Sequence, residues 1–524
     1  MPRPKPSLLH PASVFLVVFL AHSPALLGGF VWDDTQYILH NPTLSDTRGL
    51  FRIWFEPGAS PQYYPLTFTT FWLEHRLFGL SPLGYHLDNL ILHSIGSVLL
   101  WLLLSRVGAP QPGFVAILWG IHPMKVESVA WISERKDVLS GALVFLSLLA
   151  WEAYRRNGRS RDHTASILLF AGALLAKTAV APLPLVLLVW AYWERGRLER
   201  RDWTLAGPFF GLSLAAGLGH VLLEKANIDV AQAAVGFSFQ ERLYIAGRAF
   251  WFYAGKLFWP NPLMPIYPRW PLDPGSIFGW LLPISAALLT VALWFARGRL
   301  GRGPICAHLI FLLMLAPALG FISQAFNRYA FVADHFQYLA SAGPAVLLGG
   351  ALQAGADRFR LSRLGLFGIS LAVAIPLLAI TGSHAVRFKD DRTLFTHNLA
   401  YNPNAWGVYT ALGAVALREG NGLEAVEHFR RARELEPNSA QACYNLAAAL
   451  ALLGQREAAV ESYGEALRLA PNYAEAHNNL ALVLHQMGRD EQALHHLSKA
   501  IEAKPGDSRF AANRETILRK MRGR

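Results

Sequence analysis

Two adjacent carboxylates stand near the start of the chain, just after its first long apolar segment. The stretch reads Phe30-Val-Trp32-Asp33-Asp34 and follows an apolar run over residues 11–29. Ionisable side chains close to a bilayer are costly and often functional, and paired carboxylates bind a divalent ion when a phosphate helps. The alternative is that Trp32 only anchors the chain at the interface and the two acids solvate a loop.

More ionisable residues follow at comparable positions, between apolar runs. The segment 122–137 holds both acids and bases, and so does 324–335. A metal site is one hypothesis for His86 and His93, which are seven residues apart and share a helix face, but a third ligand is missing, so packing is favoured. The other candidate residues for a substrate-binding site are Lys125, Glu127, Arg135, Lys136, Asp137, Lys177, Arg328 and His335.

The composition indicates a membrane protein. Of the 524 residues, 53% are hydrophobic and 16% are charged, whereas a soluble chain carries about 25% charged residues. The two cysteines, Cys306 and Cys443, suggest neither a disulfide framework nor a zinc site. Apolar runs able to cross a bilayer lie near 11–29, 86–106, 112–131, 137–154, 164–179, 181–193, 203–222, 276–296, 304–323, 336–354 and 365–384.

The basic residues predict the orientation of the chain. They cluster near residues 3–5, 155–161, 195–201, 297–302 and 358–363, and short cytoplasmic loops are rich in lysine and arginine. All of these clusters face the cytoplasm if 241–259 lies along the interface instead of crossing. This gives about eleven crossings, a cytoplasmic N-terminus and an external C-terminus. The net charge of +12 therefore comes mostly from basic residues in cytoplasmic loops. It reflects the orientation of the chain in the membrane, so we expect no nucleic-acid partner.

The tail repeats with a fixed period. Proline recurs at positions 403, 437, 471 and 505, which are evenly spaced. This spacing equals the tetratricopeptide period of about 34 residues. We expect three helix pairs over 402–524 and a closing helix at 508–520. Asn445 and Asn479 occupy equivalent places on successive first helices. They either bind an acceptor peptide in the groove or only cap and pack helices.

The order of these motifs resembles a known family. Trp32-Asp33-Asp34, Tyr64-Pro-Leu-Thr67, Gly84-Tyr-His-Leu87, His122-Pro123, Val126-Glu-Ser-Val-Ala130 and Arg135-Lys-Asp137 precede the repeat tail. This is similar to bacterial relatives of the transmembrane and tetratricopeptide-repeat-containing O-mannosyltransferases, which are GT-C glycosyltransferases. The resemblance implies an all-α fold, with a membrane helix bundle over 1–390, a linker over 391–401 and a repeat domain over 402–524.

The resemblance also implies a reaction. A polyprenyl-phosphate-linked sugar would be the donor, and a hydroxyl of a protein or glycan outside the cytoplasm would be the acceptor. Asp33 or Asp34 would accept the hydroxyl proton, with Asp33 as the first choice. The cations Lys125, Arg135, Lys136, Lys177 and Arg328, with His335, would face the leaving phosphate, beside Glu127 and Asp137. The sequence differs from the family in two places. Lys177 is followed directly by Thr178, whereas the family has a Lys-Glu-Thr element. His335 lies in a stretch where the family tends to carry Glu-Arg-Tyr, so it stands in place of an arginine.

Two other functions stay open at this point. A transporter or flippase for a lipid-linked sugar would need charges near the bilayer midplane and an internal repeat of spans, which the sequence does not show. A membrane-anchored repeat scaffold would need few spans and no acidic motif. We expect no firm cofactor, with a divalent cation not favoured, and a location in the bacterial cytoplasmic membrane.

Overall fold

The computed structural model describes residues 10–227, 236–322 and 325–522, and within these ranges the chain contains helices and no strand. In the described part, sixteen α-helices precede the segment at 391 and are joined mostly by short turns. They are α1 (Pro11–His22), α2 (Pro42–Ser45), α3 (Gly49–Phe55), α4 (Pro65–Phe78), α5 (Pro82–Val107), α6 (Pro112–Gly120), α7 (Val126–Ala130), α8 (Arg135–Asn157), α9 (Ser160–Ala176), α10 (Leu183–Arg195), α11 (Arg200–Asn227), α12 (Phe239–Phe258), α13 (Leu281–Leu300), α14 (Gly303–Leu315), α15 (Ala342–Arg358) and α16 (Arg363–Ala385).

Among the described residues, five helical segments are long and apolar enough to cross a membrane. They are Pro82–Val107, Ile132–Asn157, Arg200–Leu223, Ile277–Leu300 and Arg363–Lys389, and shorter apolar helices cover Pro11–Leu27 and Gly303–Ala318. The all-helical fold class and the multi-pass character are confirmed. The number of about eleven crossings and the orientation stay predictions.

The helices α5 and α8 form the centre of the membrane part. Helix α1 and helix α6 pack on α5, while α9 pairs with α8 across a short turn at Gly158. Polar side chains tie α5 to its neighbours: the His93 ring nitrogens contact Gly120 O and Tyr338 Oη at 2.8 Å each. His86 Nε2 contacts Gly29 O at 3.3 Å. Both histidines are therefore held by hydrogen bonds to neighbouring segments of the chain.

Helix α12 is amphipathic and covers most of the segment predicted to lie at the interface. It begins with a capping box at Ser238 and Glu241 and buries one face, which includes Tyr244, Phe250 and Tyr253. Its other residues are mostly partly or fully exposed. The interfacial position of this segment stays a prediction.

The tail forms helix pairs with one closing helix. The pairs are α18 (Trp406–Arg418) with α19 (Gly422–Leu435), α20 (Ala440–Leu452) with α21 (Arg456–Leu469), and α22 (Ala474–Gln486) with α23 (Asp490–Ala503); α24 (Ser508–Arg522) follows. The small and large residues of the repeat pattern, such as Ala425, Phe429 and Ala459, lie in its buried core. One period of the proline spacing corresponds to one helix pair.

The segment expected to be a linker is helical. Helix α17 (Asp391–Tyr401) is capped by Asp390, whose side chain accepts from Thr393 N. It buries Leu394, Phe395 and Asn398, so it is a packed part of the membrane-side body. The other domain boundaries stay predictions.

Candidate active site

The two aspartates of the first loop have different environments. Asp34 is completely buried, and its two carboxylate oxygens accept from Val31 N at 3.0 Å and Ser133 N at 2.7 Å. These bonds join the loop after α1 to the turn before α8. Burial raises the pKa of Asp34 to about 8, whereas the two N–H donors favour the ionised form. Asp34 therefore holds two loops together.

Asp33 is free to act on a ligand. It is partly exposed, and no described residue donates a hydrogen bond to its carboxylate. Burial by the surrounding protein raises its pKa to about 6; Lys136 and His335 oppose this rise, while Glu134 and Asp391 add to it. A carboxylate with a pKa near the working pH is well suited to accept a proton.

The backbone beside Asp33 is strained and firmly held. Trp32 has a φ of 49°, a left-handed conformation that is unfavourable for a bulky residue. Its N–H donates to Asp391 Oδ1 at 2.7 Å, and its ring stacks on Trp131 with centroids 5.1 Å apart. Strain of this kind persists only where the surroundings fix it, and it is concentrated at functional sites.

A charged cluster of six residues lies beside Asp33. We use this name for Glu127, Glu134, Lys136, Asp137, Lys177 and His335, all of which have side chains that are at most 12% exposed. Glu134 is at its centre. Its oxygens lie 3.0 Å from Lys136 Nζ, 3.5 Å from Lys177 Nζ and 3.8 Å from His335 Nε2.

The other two acids of the charged cluster bind one cation each. Lys177 Nζ is 2.6 Å from Asp137 Oδ1, and His335 Nδ1 is 2.9 Å from Glu127 Oε2. Burial opposes the charged form of His335, but Glu134 and Glu127 raise its pKa above the ordinary value. The family's acid after Lys177 is absent from this sequence. In the folded protein Asp137 and Glu134, from another part of the chain, lie next to Lys177 instead. The three acids of the charged cluster thus pair with its three cationic groups and fix their positions.

Glu134 was not among the residues proposed from the sequence. It occupies a short 3-10 turn, Ile132–Glu134, directly before α8. The one available signal was its place beside Arg135, Lys136 and Asp137. Sequence alone does not show the direction of a side chain in such a turn, because that direction depends on where α8 begins.

Arg135 lies outside the charged cluster. Its guanidinium is completely buried and donates to Glu74 Oε1 and Tyr85 O, each at 2.8 Å. It also contacts Asn89. As neighbours at the start of α8, Arg135 and Lys136 point about 100° apart, so Arg135 binds α4 and α5 while Lys136 turns to the charged cluster. A contact between Arg135 and a donor phosphate stays a prediction without geometric support.

Lys125 and Arg328 also occupy other positions. Lys125 is fully buried, with Nζ bound to Tyr338 O and Ser341 Oγ. Arg328 Nη2 donates to Tyr329 Oη at 2.6 Å, and the Tyr329 ring packs on Trp406 of the first repeat. Arg328 is thereby held at the contact between the membrane part and the first repeat, and it is not part of the charged cluster.

The two repeat asparagines are partly buried on the first helices of their pairs. Asn479 donates to Tyr444 Oη at 2.9 Å and accepts from Asn478 at 3.0 Å. This network joins α20 to α22, which supports a packing role. Within the described ranges, no group of three or more His, Cys, Asp and Glu side chains is arranged to hold a metal ion.

An apolar groove of about 700 Å³ lies between α5, α8, α10, α14 and α15. Leu339 and Ala342 line it and follow His335 along the chain, while Val144 and Leu148 lie farther along α8 than Asp137. At 1.5 Å per residue, Leu148 is about 16 Å from Asp137 along the helix. The groove therefore runs along α8 in the direction away from Asp137, with a lining that includes Trp190 and Met314.

Comparison with known proteins identifies the tail first. A family model described as "TPR repeat" matches residues 449–488, and one described as "Tetratricopeptide repeat" matches residues 474–507. Crystal structures of MamA are also similar, one with 27% identity, a TM-score of 0.24, and coverage of 25% of this chain and 76% of that chain. With its apolar helices, the chain is an all-helical, multi-pass membrane protein with a tetratricopeptide array.

The relatives extend the resemblance to the membrane part. "Protein O-mannosyl-transferase TMTC3" of Mus musculus is 23% identical over 503 residues, which is 84% of this chain and 53% of that protein. "Protein O-mannosyl-transferase Tmtc1" of Drosophila melanogaster is 30% identical over 209 residues, 38% of this chain and 24% of that protein. The chain is thus similar to the transmembrane and tetratricopeptide-repeat-containing O-mannosyltransferases. It spans about half or less of the length of these relatives.

Proposed function

We propose that this protein is a membrane glycosyltransferase that moves a sugar from a polyprenyl-phosphate-linked donor to a protein hydroxyl. The observation that carries the proposal is the free carboxylate of Asp33 beside the charged cluster. A base for the hydroxyl and cations for a phosphate are the two requirements of this transfer. The names of the relatives support the same class of reaction.

Each step of the reaction has a matching group. The acceptor hydroxyl attacks the anomeric carbon of the sugar while Asp33 accepts its proton. The bond between that carbon and the phosphate oxygen breaks, and the lipid phosphate leaves with the bonding electron pair. Lys136, Lys177 and His335 stabilise the negative charge on the phosphate. We expect these cations to suffice, so that transfer continues when divalent ions are chelated.

The apolar groove supports a lipid-linked donor. Leu339, four residues after His335, lines it, and Val144 and Leu148 of α8 continue its wall. A prenyl chain in the groove would bury apolar surface and leave its phosphate at the charged cluster. This arrangement requires the donor to enter from the bilayer.

The location follows from the charge pattern of the chain. We place the protein in the cytoplasmic membrane, with its basic loops inside and Asp33 and the repeats outside. The first repeat packs against the membrane part through Trp406 and Tyr329. This contact supports our proposal that the repeat array presents an acceptor peptide to Asp33.

The first test compares Asp33→Asn with Asp34→Asn. Asp33→Asn removes the base but breaks no hydrogen bond, so transfer should fall by at least about 100-fold while the midpoint of thermal unfolding stays unchanged. Asp34→Asn places an amide N–H₂ against a backbone N–H, so it should destabilise the fold by about 1–3 kcal/mol. Transfer from radiolabelled polyprenyl-phosphate sugars to peptide and unfolding in detergent are measured for both.

The alternatives predict other results. A scaffold would consume no donor, and a flippase would move labelled lipid across vesicles without transferring the sugar. Full transfer by Asp33→Asn would show that this carboxylate is not the base. Loss of transfer only in Asp34→Asn, with an intact fold, would assign the role to the buried neighbour instead.

A further inference from the structure

A second pocket, distinct from the charged cluster, lies where α16 ends. It has a volume of about 340 Å³ and is bounded by α16, by the turn into α17 and by the segment that follows α12. Its lining includes Trp259, Asn261, Ile380, Ser383, His384 and Arg387. The lining thus combines a cation, a histidine and neutral hydrogen-bonding groups, and it contains no carboxylate.

Arg387 is the cation of this pocket. Across the described ranges 10–227, 236–322 and 325–522, no carboxylate lies within ion-pair distance of its guanidinium. Its Nη1 is 2.6 Å from His397 Nε2, but the same ring nitrogen is 3.2 Å from Leu263 O. That nitrogen cannot both donate to Leu263 and accept from Arg387. Whichever role that nitrogen takes, Nε and Nη2 of Arg387 have no hydrogen-bond partner among the described residues and are available for an anion.

His384 provides a second unsatisfied group. It is 2% exposed, and its Nδ1 has no hydrogen-bond partner in the described part of the chain. Buried polar atoms without a partner are rare and need an explanation, such as a missing ligand. Lys256 adds positive charge nearby, partly compensated by Asp334.

We expect the pocket to lie at the depth of lipid headgroups, because it is at the end of an apolar helix. The apolar segment Arg363–Lys389 is long enough to cross a membrane, and the pocket is at its C-terminal end. Trp259, at the rim, is 74% exposed, and tryptophan and arginine are typical of the membrane interface. An arginine at this depth can pair with the phosphate of a lipid headgroup.

We propose that this pocket binds a phosphate group, with Arg387 as its charged partner and His384 and Asn261 as hydrogen-bonding partners. A planar guanidinium suits phosphate because it can donate two parallel hydrogen bonds. The position of the pocket favours the phosphate of an anionic membrane lipid over a soluble phosphate. The proposal is independent of the transferase reaction.

The test is lipid binding to the full chain by native mass spectrometry in detergent. Phosphatidylglycerol and phosphatidylcholine are titrated separately, and inorganic phosphate is added in a third arm. We expect one tight phosphatidylglycerol site, weakened by about tenfold or more in Arg387→Gln. Ser383→Phe fills the pocket from a position at its rim, so it should have the same effect without disturbing the fold. Arg363→Gln, at the other end of α16, is the matched control and should bind like the wild type.

Each outcome decides the proposal. Weakened phosphatidylglycerol binding in both pocket variants but not in the control supports it. Equal binding by all four proteins, or equal affinity for the two lipids, overturns it. Displacement of the lipid by millimolar inorganic phosphate would keep the phosphate site and overturn its assignment to a membrane lipid.

Discussion

Asp33 and Asp34 are neighbours in sequence, yet only one of them is available for chemistry. Asp34 uses both oxygens to bind backbone N–H groups, one nearby at Val31 and one far along the chain at Ser133. Sequence could place the pair at the end of an apolar segment but could not separate the two roles. The distinction depends on a contact with a distant turn, and no local pattern encodes it.

The charge of Asp33 should control the pH dependence of transfer. A base is active when deprotonated, and burial raises the pKa of Asp33 to about 6. The kcat/KM of the wild type should therefore rise with pH through about 6 and then level off. A profile measured from about pH 4.5 to 8 tests this. The remaining activity of Asp33→Asn should lack that inflection, and a flat wild-type profile would contradict the assignment.

Glu134 should contribute more to stability than any surface acid. Its side chain is 3% exposed and faces three cationic groups. Removing one partner of a buried ionic network costs about 3–5 kcal/mol, so Glu134→Gln should lower both the unfolding midpoint and transfer. The matched control is Glu199→Gln, because Glu199 pairs with Arg197 at the surface and such pairs contribute about 0–1 kcal/mol. Equal midpoints for the two variants would refute the central position of Glu134.

Helix α17 connects the repeat array to the loop that carries Asp33. Asp391, at its first residue, accepts from Trp32 N and pairs with Arg418 of the first repeat. We expected a linker here, between the membrane helix bundle and the repeat domain. Its helical packing depends on Phe395 meeting the Trp32 ring. That contact joins the two ends of the membrane part, and the sequence does not reveal it.

Asp391 should act as a positioning residue. Without its oxygen the strained Trp32 backbone can relax, and misplacing a catalytic group by about 1 Å costs about 100-fold in rate. Asp391→Ala should therefore lower kcat with little change in the KM of either substrate. Asp391→Asn keeps an acceptor for Trp32 N and should recover most of the activity. Arg418→Gln removes only a half-exposed pair and is the control. A change in KM alone would point to acceptor binding instead.

At the scale of the whole molecule, we assign the array and the apolar groove to different substrates of the proposed reaction. The even spacing of the tail prolines made the array predictable from sequence. The helix packing that encloses the groove was not predictable, because its walls come from α5, α8, α10, α14 and α15. Hydropathy shows which helices are apolar, but it does not show which of them are neighbours.

Binding of the acceptor peptide should depend on the repeat array, whereas binding of the donor should not. We expect the double variant Asn445→Ala and Asn479→Ala to raise the KM for a peptide acceptor several-fold, with the KM for the donor unchanged. The control is Asn438→Ala, on an exposed turn of the same array. Unchanged peptide kinetics in the double variant would limit these asparagines to packing, as the contact of Asn479 with Tyr444 suggests.

The apolar groove has a practical consequence for handling the protein. A cavity of about 700 Å³ with an almost wholly aliphatic and aromatic lining accepts the alkyl tail of a detergent as readily as a prenyl chain. Solubilisation therefore supplies a competitor for the donor at millimolar concentration. Activity should recover when the detergent is exchanged for a lipid nanodisc, and the apparent affinity for the donor will depend on the length of the detergent tail.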